Sequence, residues 1–138
     1  VRELFQDDGI QPYTKADDEI LSEIILPPAD GWRSAYLKLR RRGSFDFPML
    51  GVAVALRRDG DGIIAGARIT LGAVASHPIE ADGAAARLIG QRLEPQLIAE
   101  VSALAAKPAR PLDNADLTMN YRKQVTATYV QRALEALV

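Results

Sequence analysis

The densest group of chemically capable side chains lies in residues 36–48. This stretch holds four cations, three aromatic residues and one carboxylate: Tyr36, Lys38, Arg40, Arg41, Arg42, Phe45, Asp46 and Phe47. Lysine and arginine bind phosphate or pyrophosphate through charge-assisted hydrogen bonds, and an aromatic edge can lie against a flat ring. The stretch therefore indicates an anion-binding site. A solvated strand face with one Arg–Asp pair would contain the same residue types, so that alternative stays open.

Other kinds of chemistry find little support in the sequence. His77, next to Pro78, could donate a proton, but we expect no partner serine, cysteine or second histidine that would complete a triad or a metal site. A hydrogen-bonded loop histidine is the competing interpretation. The clustered carboxylates lie beside glycines or at expected helix starts, where turn and capping roles explain them. We therefore predict neither a catalytic residue nor a metal ligand in this chain.

Composition excludes further classes of function. The 138 residues contain no cysteine, which removes thiolate catalysis and any iron–sulfur cluster held by this chain. A net charge of −1 gives no overall attraction to nucleic acid, and cations gathered at one strand end do not form the stripe that phosphate tracking requires. No apolar run reaches the roughly 20 residues that span a bilayer. We expect no nucleic-acid partner, no membrane span and a cytoplasmic location.

The first half of the chain has the periodicity of strands. Alternation predicts one strand over residues 20–26, ended by two prolines, and another over residues 32–41 with a basic outer face. Apolar runs over residues 49–56 and 63–74 flank two Asp-Gly pairs, which are a strong hairpin signal. These segments predict an antiparallel sheet of about four strands.

The second half has the longer period of helices. One helix is predicted before Gly90 and another after Pro95, and Asp113 or Asn114 could cap the last one. The last helix carries a predicted apolar face: Tyr121, Val125, Tyr129, Ala133 and Leu137. Strands followed by separate helices favour an α+β domain, in which about three helices cover one face of the sheet.

Several short motifs also follow one another in a specific order. They are Asp18-Glu19-Ile20-Leu21-Ser22-Glu23-Ile24, Ser34-Ala35-Tyr36-x-Lys38, Arg42-x-Ser44-Phe45-Asp46-Phe47-Pro48, Ala67-Arg68-Ile69, Leu71-Gly72-Ala73-Val74-Ala75 and Tyr121-Arg122. Their succession resembles the C-terminal domain of the FAD subunit of molybdenum hydroxylases, the carbon monoxide dehydrogenase and xanthine dehydrogenase family. Residues 26–33 and 40–48 look most similar to the 4-hydroxybenzoyl-CoA reductase beta-subunit branch.

The resemblance implies one part of a multi-subunit oxidoreductase. Such an enzyme has a molybdopterin subunit, a subunit with [2Fe–2S] clusters, and an FAD subunit that exchanges electrons with an external acceptor or donor. Residues 1–18 would enter from an upstream FAD-binding domain, and residues 19–138 would form a single C-terminal domain that closes over the flavin. The upstream part would hold most of the FAD, and the isolated domain would not be catalytic. This chain has no glycine-rich strand-to-helix loop of its own.

Matching positions in the family assign cofactor binding to Lys38, Arg42, Asp46 and Phe47. The resemblance implies that Lys38 offers positive charge to the reduced, anionic flavin and that Asp46 fixes the turn. His77 departs from the arginine that is more usual in the family. Two other functions stay open: a subunit-docking module with no flavin role, and a small anion- or nucleotide-binding domain that acts alone.

Overall fold

The sheet and helices of this protein form two layers. The computed structural model describes residues 2–43, 45–113 and 117–138. Within them, four antiparallel strands lie in the order β1-β2-β3-β4: β1 Trp32–Leu39, β2 Leu50–Arg58, β3 Ile64–Gly72 and β4 Ile79–Glu80. The helices are α1 Asp82–Leu88, α2 Pro95–Ala105 and α3 Met119–Glu135, with a short 3-10 turn at Arg2–Leu4. The predicted α+β class, with a helical layer on one face of an antiparallel sheet, is confirmed.

Alternation along the strands gives the sheet an inner face, packed on the helices, and an outer face on the other side. The inner face carries aliphatic side chains that are almost wholly buried: Leu50, Val52, Val54, Leu56, Ile69 and Leu71. The residues of the outer face follow from the strand register: Trp32, Ser34, Tyr36, Lys38, Gly51, Ala53, Ala55, Arg57, Gly66, Arg68, Thr70 and Gly72. No helix among the described residues covers the outer face in the way that α1 and α3, with α2 packed against both of them, cover the inner one.

The hairpin between β2 and β3 forms where the two Asp-Gly pairs predict it. The Asp59 carboxylate accepts hydrogen bonds from the backbone of Asp61 and Ile63, at 3.0 and 2.9 Å. Gly62 takes a φ of +79°, a left-handed conformation that glycine adopts without a Cβ clash. Local side-chain hydrogen bonds and one glycine therefore set this turn.

The strand predicted over residues 20–26 is wrong. That segment pairs with no strand of the described ladder, and its side chains lie open, with Ile20 87% and Leu26 81% exposed. A period-two pattern forms a strand only where a sheet edge accepts its backbone hydrogen bonds, and this segment does not lie along an edge of the sheet. The fourth strand is instead the two-residue β4, which pairs with β3.

The helix boundaries agree with the sequence at two ends and differ at a third. Pro95 is the first residue of α2, and Gly90 after α1 has a φ of +76°. The cap of α3 is Thr118, whose hydroxyl accepts a hydrogen bond from the Tyr121 backbone at 3.3 Å. Asp113 is therefore not the cap, and Asn114 lies outside the described residues.

The buried stripe of α3 is displaced from the predicted apolar face. Its buried residues are Arg122, Thr126, Val130, Ala133 and Leu134, while Tyr121 is 46% exposed. Val125 and Tyr129 are only partly buried, at the margin of the core. The displacement has a polar cause, because the helix turns a hydrogen-bonded arginine and threonine inward.

Candidate functional site

The connection from β1 to β2 contains a hydrogen-bonded turn, and Asp46 organises its described residues. Oδ2 of Asp46 accepts hydrogen bonds from the backbone of Arg41 at 3.0 Å and Arg42 at 2.9 Å. Oδ1 accepts from the backbone of Phe47 at 3.0 Å, and the Arg42 guanidinium lies 3.8 Å from the same oxygen. We call these residues the Asp46 turn. One carboxylate thus receives three backbone N–H groups that the sheet ladder does not satisfy.

The same contacts change the acidity of Asp46. The hydrogen bond from the Arg42 backbone, helped by those from Phe47 and Arg41 and by the Arg42 charge, holds the pKa of Asp46 below its usual value of 3.8, while burial acts in the opposite direction. Hydrogen bonds to an ionised carboxylate stabilise the charged form. Asp46 is therefore a fixed anion that shapes the turn.

Lys38 lies on the outer face of β1, beside the Asp46 turn. Its ammonium group donates a 2.5 Å hydrogen bond to the backbone carbonyl of Asp46. An ammonium group has three N–H bonds, so this contact fixes its position and leaves donors for another acceptor. The positive charge of Lys38 is consequently held at the edge of the outer face where β1 ends.

Aromatic residues lie next to the two ends of this contact in the chain: Phe45 and Phe47 flank Asp46, and Tyr36 precedes Lys38 by two residues on β1. Phe45 and Phe47 are 86% and 76% exposed, and their ring centroids are 6.3 Å apart in an edge-to-face arrangement. Tyr36 lies across the sheet, and its hydroxyl would be 3.1 Å from a Cβ added at Gly51. Glycine at position 51 therefore allows the phenol to lie close to the middle strand. An exposed aromatic pair beside a fixed ammonium can accept a flat anionic ring.

The structure brings together most of the residues that the sequence selects. Lys38, Arg42 and Asp46 lie within one hydrogen-bonded turn. Phe47 contributes its backbone to Asp46, while its side chain points to solvent. Ser44, part of the same sequence motif, lies outside the described residues. Arg40, the first of the three arginines that follow Leu39, is exposed.

Arg122 is a buried residue that binds the backbone next to the Asp46 turn. It was not identified from the sequence as part of the site. This arginine is only 4% exposed. Its guanidinium donates to the carbonyls of Met49 at 3.0 Å and Leu112 at 2.9 Å, and also to the carbonyl of Ala73. Met49 lies between the Asp46 turn and β2, so α3 is tied to the residue that immediately precedes β2. A Tyr-Arg pair at a helix start was visible in the sequence, but nothing in its spacing indicated burial.

A second polar cluster forms around His77, but it lacks the geometry of a catalytic triad. The Ser76 hydroxyl donates a 2.5 Å hydrogen bond to Asp7 and lies 3.1 Å from Nδ1 of His77. Ser76 is therefore a hydrogen-bonding neighbour of His77. Asp7 and His77 both contact this hydroxyl, whereas in a triad the carboxylate orients the histidine from behind. Asp7 is also 85% exposed, so the cluster is a solvated loop contact.

The described residues contain neither a metal-binding cluster nor a membrane-spanning helix. They contain no group of three or more His, Cys, Asp or Glu side chains placed to hold a metal ion. None of the helices in that part of the chain has the length and apolarity needed to cross a bilayer.

Comparisons with known proteins identify relatives of this fold. The chain is 28% identical over 121 residues to the carbon monoxide dehydrogenase medium chain of Hydrogenophaga pseudoflava, covering 87% of this chain and 42% of that one. It is 36% identical over 70 residues to the aldehyde oxidoreductase FAD-binding subunit PaoB of Escherichia coli K12, covering 51% and 20%. The chain spans about two fifths of the length of the medium chains that it matches.

Solved structures and family membership agree with this similarity. The fold superposes on reconstituted CO dehydrogenase from Oligotropha carboxidovorans with a TM-score of 0.71 and 31% identity, covering 81% of this chain and 38% of the other. Residues 34–137 match the CO dehydrogenase flavoprotein C-terminal domain, which is most of the chain. The turn around Asp46, all of the described sheet except Trp32 and Arg33, and the helices α1, α2 and α3 lie within the matched range. This chain therefore belongs to the CO dehydrogenase flavoprotein C-terminal domain family.

Proposed function

We propose that this domain closes over the FAD of a molybdenum hydroxylase and supports electron transfer between iron–sulfur clusters, FAD and an external acceptor or donor. The observation that carries the proposal is the Lys38 ammonium, held by the Asp46 carbonyl at 2.5 Å beside two exposed phenylalanines. A flavin gains negative charge when it is reduced, so a nearby fixed cation stabilises that form. The proposed binding residues are Lys38, Arg42, Asp46 and Phe47.

The residues present fit one edge of such a cofactor. Lys38 and Arg42 can donate charge-assisted hydrogen bonds to an anionic ring or phosphate, and Phe47 can lie against its face. Asp46 acts indirectly, because it holds the backbone of the turn. When bound, FAD would supply the redox chemistry between one-electron and two-electron partners. Most of its contacts would come from upstream residues, since this chain has no glycine-rich phosphate loop.

The proposed assembly includes two further subunits, one with molybdopterin and one with [2Fe–2S] clusters. Support comes from relatives named as medium chains or as an FAD-binding subunit of dehydrogenases and oxidoreductases. We further propose the 4-hydroxybenzoyl-CoA reductase branch, from the sequence of residues 26–33 and 40–48, and a cytoplasmic location. The isolated domain is not expected to be catalytic.

We propose the same division of the chain that the resemblance implies, with residues 1–18 entering from an upstream domain and residues 19–138 forming the C-terminal domain. The ordered sheet begins at Trp32, and the family match begins at residue 34. Exposed apolar side chains in residues 20–26 support contact between this stretch and the upstream part, because such side chains gain most when they leave water.

Titration of FAD by fluorescence quenching tests the flavin role. The chain alone should not bind FAD, while the same chain extended through its native upstream sequence should. In the extended protein, Lys38→Ala should make the flavin reduction potential more negative by roughly 10–50 mV, because a fixed cation has been removed. Lys107→Ala removes an exposed lysine after α2 and serves as the matched control. Equal potentials for both variants would contradict the assignment of Lys38.

A second candidate is a docking module of the same complex that makes no contact with flavin. The uncovered outer face of the sheet favours it. This function predicts that neutralising Lys38 and Arg42 together leaves subunit assembly and every redox rate unchanged. A changed reduction potential with intact assembly would favour the flavin role instead.

A further inference from the structure

A second cluster of cations lies on the outer face, at the opposite end from Lys38. Trp32 begins β1, and its indole extends across β2, so that Cη2 would be 2.9 Å from a Cβ added at Gly66 of β3. The guanidinium carbons of Arg57 and Arg68 lie 5.8 and 5.4 Å from the indole centroid. We call Trp32, Arg57 and Arg68 the Trp32 cluster. Because position 66 is glycine, a single aromatic ring can contact arginines from both neighbouring strands.

Neither arginine of this cluster has a carboxylate partner in the described residues. The acidic side chain at the β4 edge, Glu80, is paired with Arg2 at 2.9 Å. In the neighbouring hairpin, Asp59 accepts backbone hydrogen bonds. Two like charges are therefore gathered on one ring without neutralisation, although each gains a cation–π contact of about 0.5–1 kcal/mol at an exposed site.

We infer that the Trp32 cluster is a docking surface for an acidic segment of a neighbouring protein subunit. Arginine and tryptophan are the residue types that carry most of the binding energy at protein interfaces. Arg57 and Arg68 are already oriented by the indole, so less conformational entropy is lost when carboxylates bind them. The outer face beside them is lined by Ala53 and Ala55, which leaves room for a segment to lie on the sheet.

This surface is separate from the proposed flavin contact. Trp32 and Lys38 stand six residues apart on one strand, which corresponds to about 20 Å. The inference rests on the proposed function for the identity of the partner, since the acidic segment belongs to a subunit of the same complex. It does not require Lys38 or the Asp46 turn.

Binding between separately purified subunits tests this surface. The full-length FAD subunit that contains this chain is mixed with the iron–sulfur and molybdopterin subunits of its own complex, and the dissociation constants are measured at low and high salt. Arg57→Glu with Arg68→Glu should weaken binding of one partner by at least about tenfold at low salt and flatten its salt dependence. Arg92→Glu with Arg110→Glu makes the same charge change elsewhere and should leave affinity near that of the unmodified protein.

Further measurements distinguish the possible results. The FAD content and melting temperature of the Arg57/Arg68 variant should match those of the unmodified protein, which separates docking from folding and from flavin binding. Equal loss of affinity in the control pair, or no loss in either pair, would overturn the inference while leaving the proposed function intact. Binding of inorganic pyrophosphate that depends on Arg57 and Arg68, with assembly unchanged, would overturn it in favour of a small anion. If the unmodified protein binds neither subunit, the proposed function fails as well.

Discussion

The two faces of the sheet come from the same strands but have opposite chemistry. Along β2, the residues that point toward the helices are aliphatic and at most 2% exposed: Leu50, Val52, Val54 and Leu56. The residues between them are Gly51, Ala53, Ala55 and Arg57, and they face the outer side. Apart from Arg57, the large side chains of the outer face come from β1 and β3, and several of them are aromatic or cationic. Strand alternation thus separates a surface that stabilises the fold from one that is available for binding.

This separation means that the outer face can change its binding residues with little effect on the core. The inner side chains pack closely with α1, α2 and α3 in one core. Removing even one methylene group there lowers the free energy of unfolding. On the outer face, Trp32, Tyr36 and Lys38 contact other residues of the sheet and its turns. Substitutions at adjacent positions of one strand should therefore have very different costs.

The largest expected difference is between Leu71 and its neighbour Thr70 on β3. Leu71 is fully buried on the inner face, so Leu71→Ala should lower the free energy of unfolding by about 2–5 kcal/mol. Thr70 lies on the outer face, and Thr70→Ala should cost about 0.5 kcal/mol through lost strand propensity. Urea denaturation of the 138-residue chain, followed by far-UV circular dichroism, measures both. Similar losses of unfolding free energy at the two positions would show that the inner and outer faces do not differ in their contribution to stability.

Much of the fold could be predicted because local signals and tertiary context agree. The apolar strands β2 and β3 flank Asp-Gly pairs, which favour a tight turn between antiparallel strands. The hairpin was therefore predicted correctly. The strand expected over residues 20–26 failed for the opposite reason. Its alternation is as regular, but alternation does not reveal whether a sheet edge is present to pair with it.

Buried polar residues mark a second limit of sequence reasoning. Arg122 and Thr126 were not part of the predicted face of α3, because that face was drawn from apolar periodicity and arginine is rarely buried. Burial of the Arg122 guanidinium is possible because three backbone carbonyls accept its hydrogen bonds. Two of them belong to Met49 and Ala73, which lie 73 and 49 residues before Arg122 in the sequence, and the third belongs to the nearby Leu112. Contacts at that sequence separation leave no periodic signal.

The candidate site was only partly visible in the sequence. Clustered cations and aromatics indicated an anion site, and the structure joins Lys38, Arg42 and Asp46 in one turn. The Trp32 cluster was not recognised, because Trp32, Arg57 and Arg68 lie far apart in the sequence and share no motif. It forms only when the register places Trp32 opposite Arg57 and leaves glycine at position 66.

A smaller effect is expected at Gly66, where the outer face is most crowded. Gly66→Ala places a methyl group 2.9 Å from the Trp32 indole, so the ring must move, at a net cost of about 1 kcal/mol. In a Trp32→Ala background this clash is absent, and Gly66→Ala should then stabilise by about 0.5 kcal/mol, because alanine loses less backbone entropy than glycine. A double-mutant cycle of unfolding free energies checks this reversal of sign. Destabilisation of equal size in both backgrounds would show that the indole does not lie over Gly66.

The smallest expected effect is a pH dependence of stability that comes from Asp46, in the turn after β1. Because hydrogen bonding lowers the pKa of Asp46 in the folded chain, its stabilising contribution is present above the usual value of 3.8 and is lost as pH falls through the lower, folded-state pKa. Asp46→Asn should therefore be less stable than the unmodified chain near neutral pH, and the difference should shrink as pH falls below 3.8. Amide hydrogen exchange at Arg41, Arg42 and Phe47 gives a local readout, since these N–H groups bind the carboxylate. Asp61→Asn, in the exposed hairpin, is the control for a general loss of one negative charge. A stability gap for Asp46→Asn that stays constant across this pH range would show that the ionised carboxylate does not hold the turn.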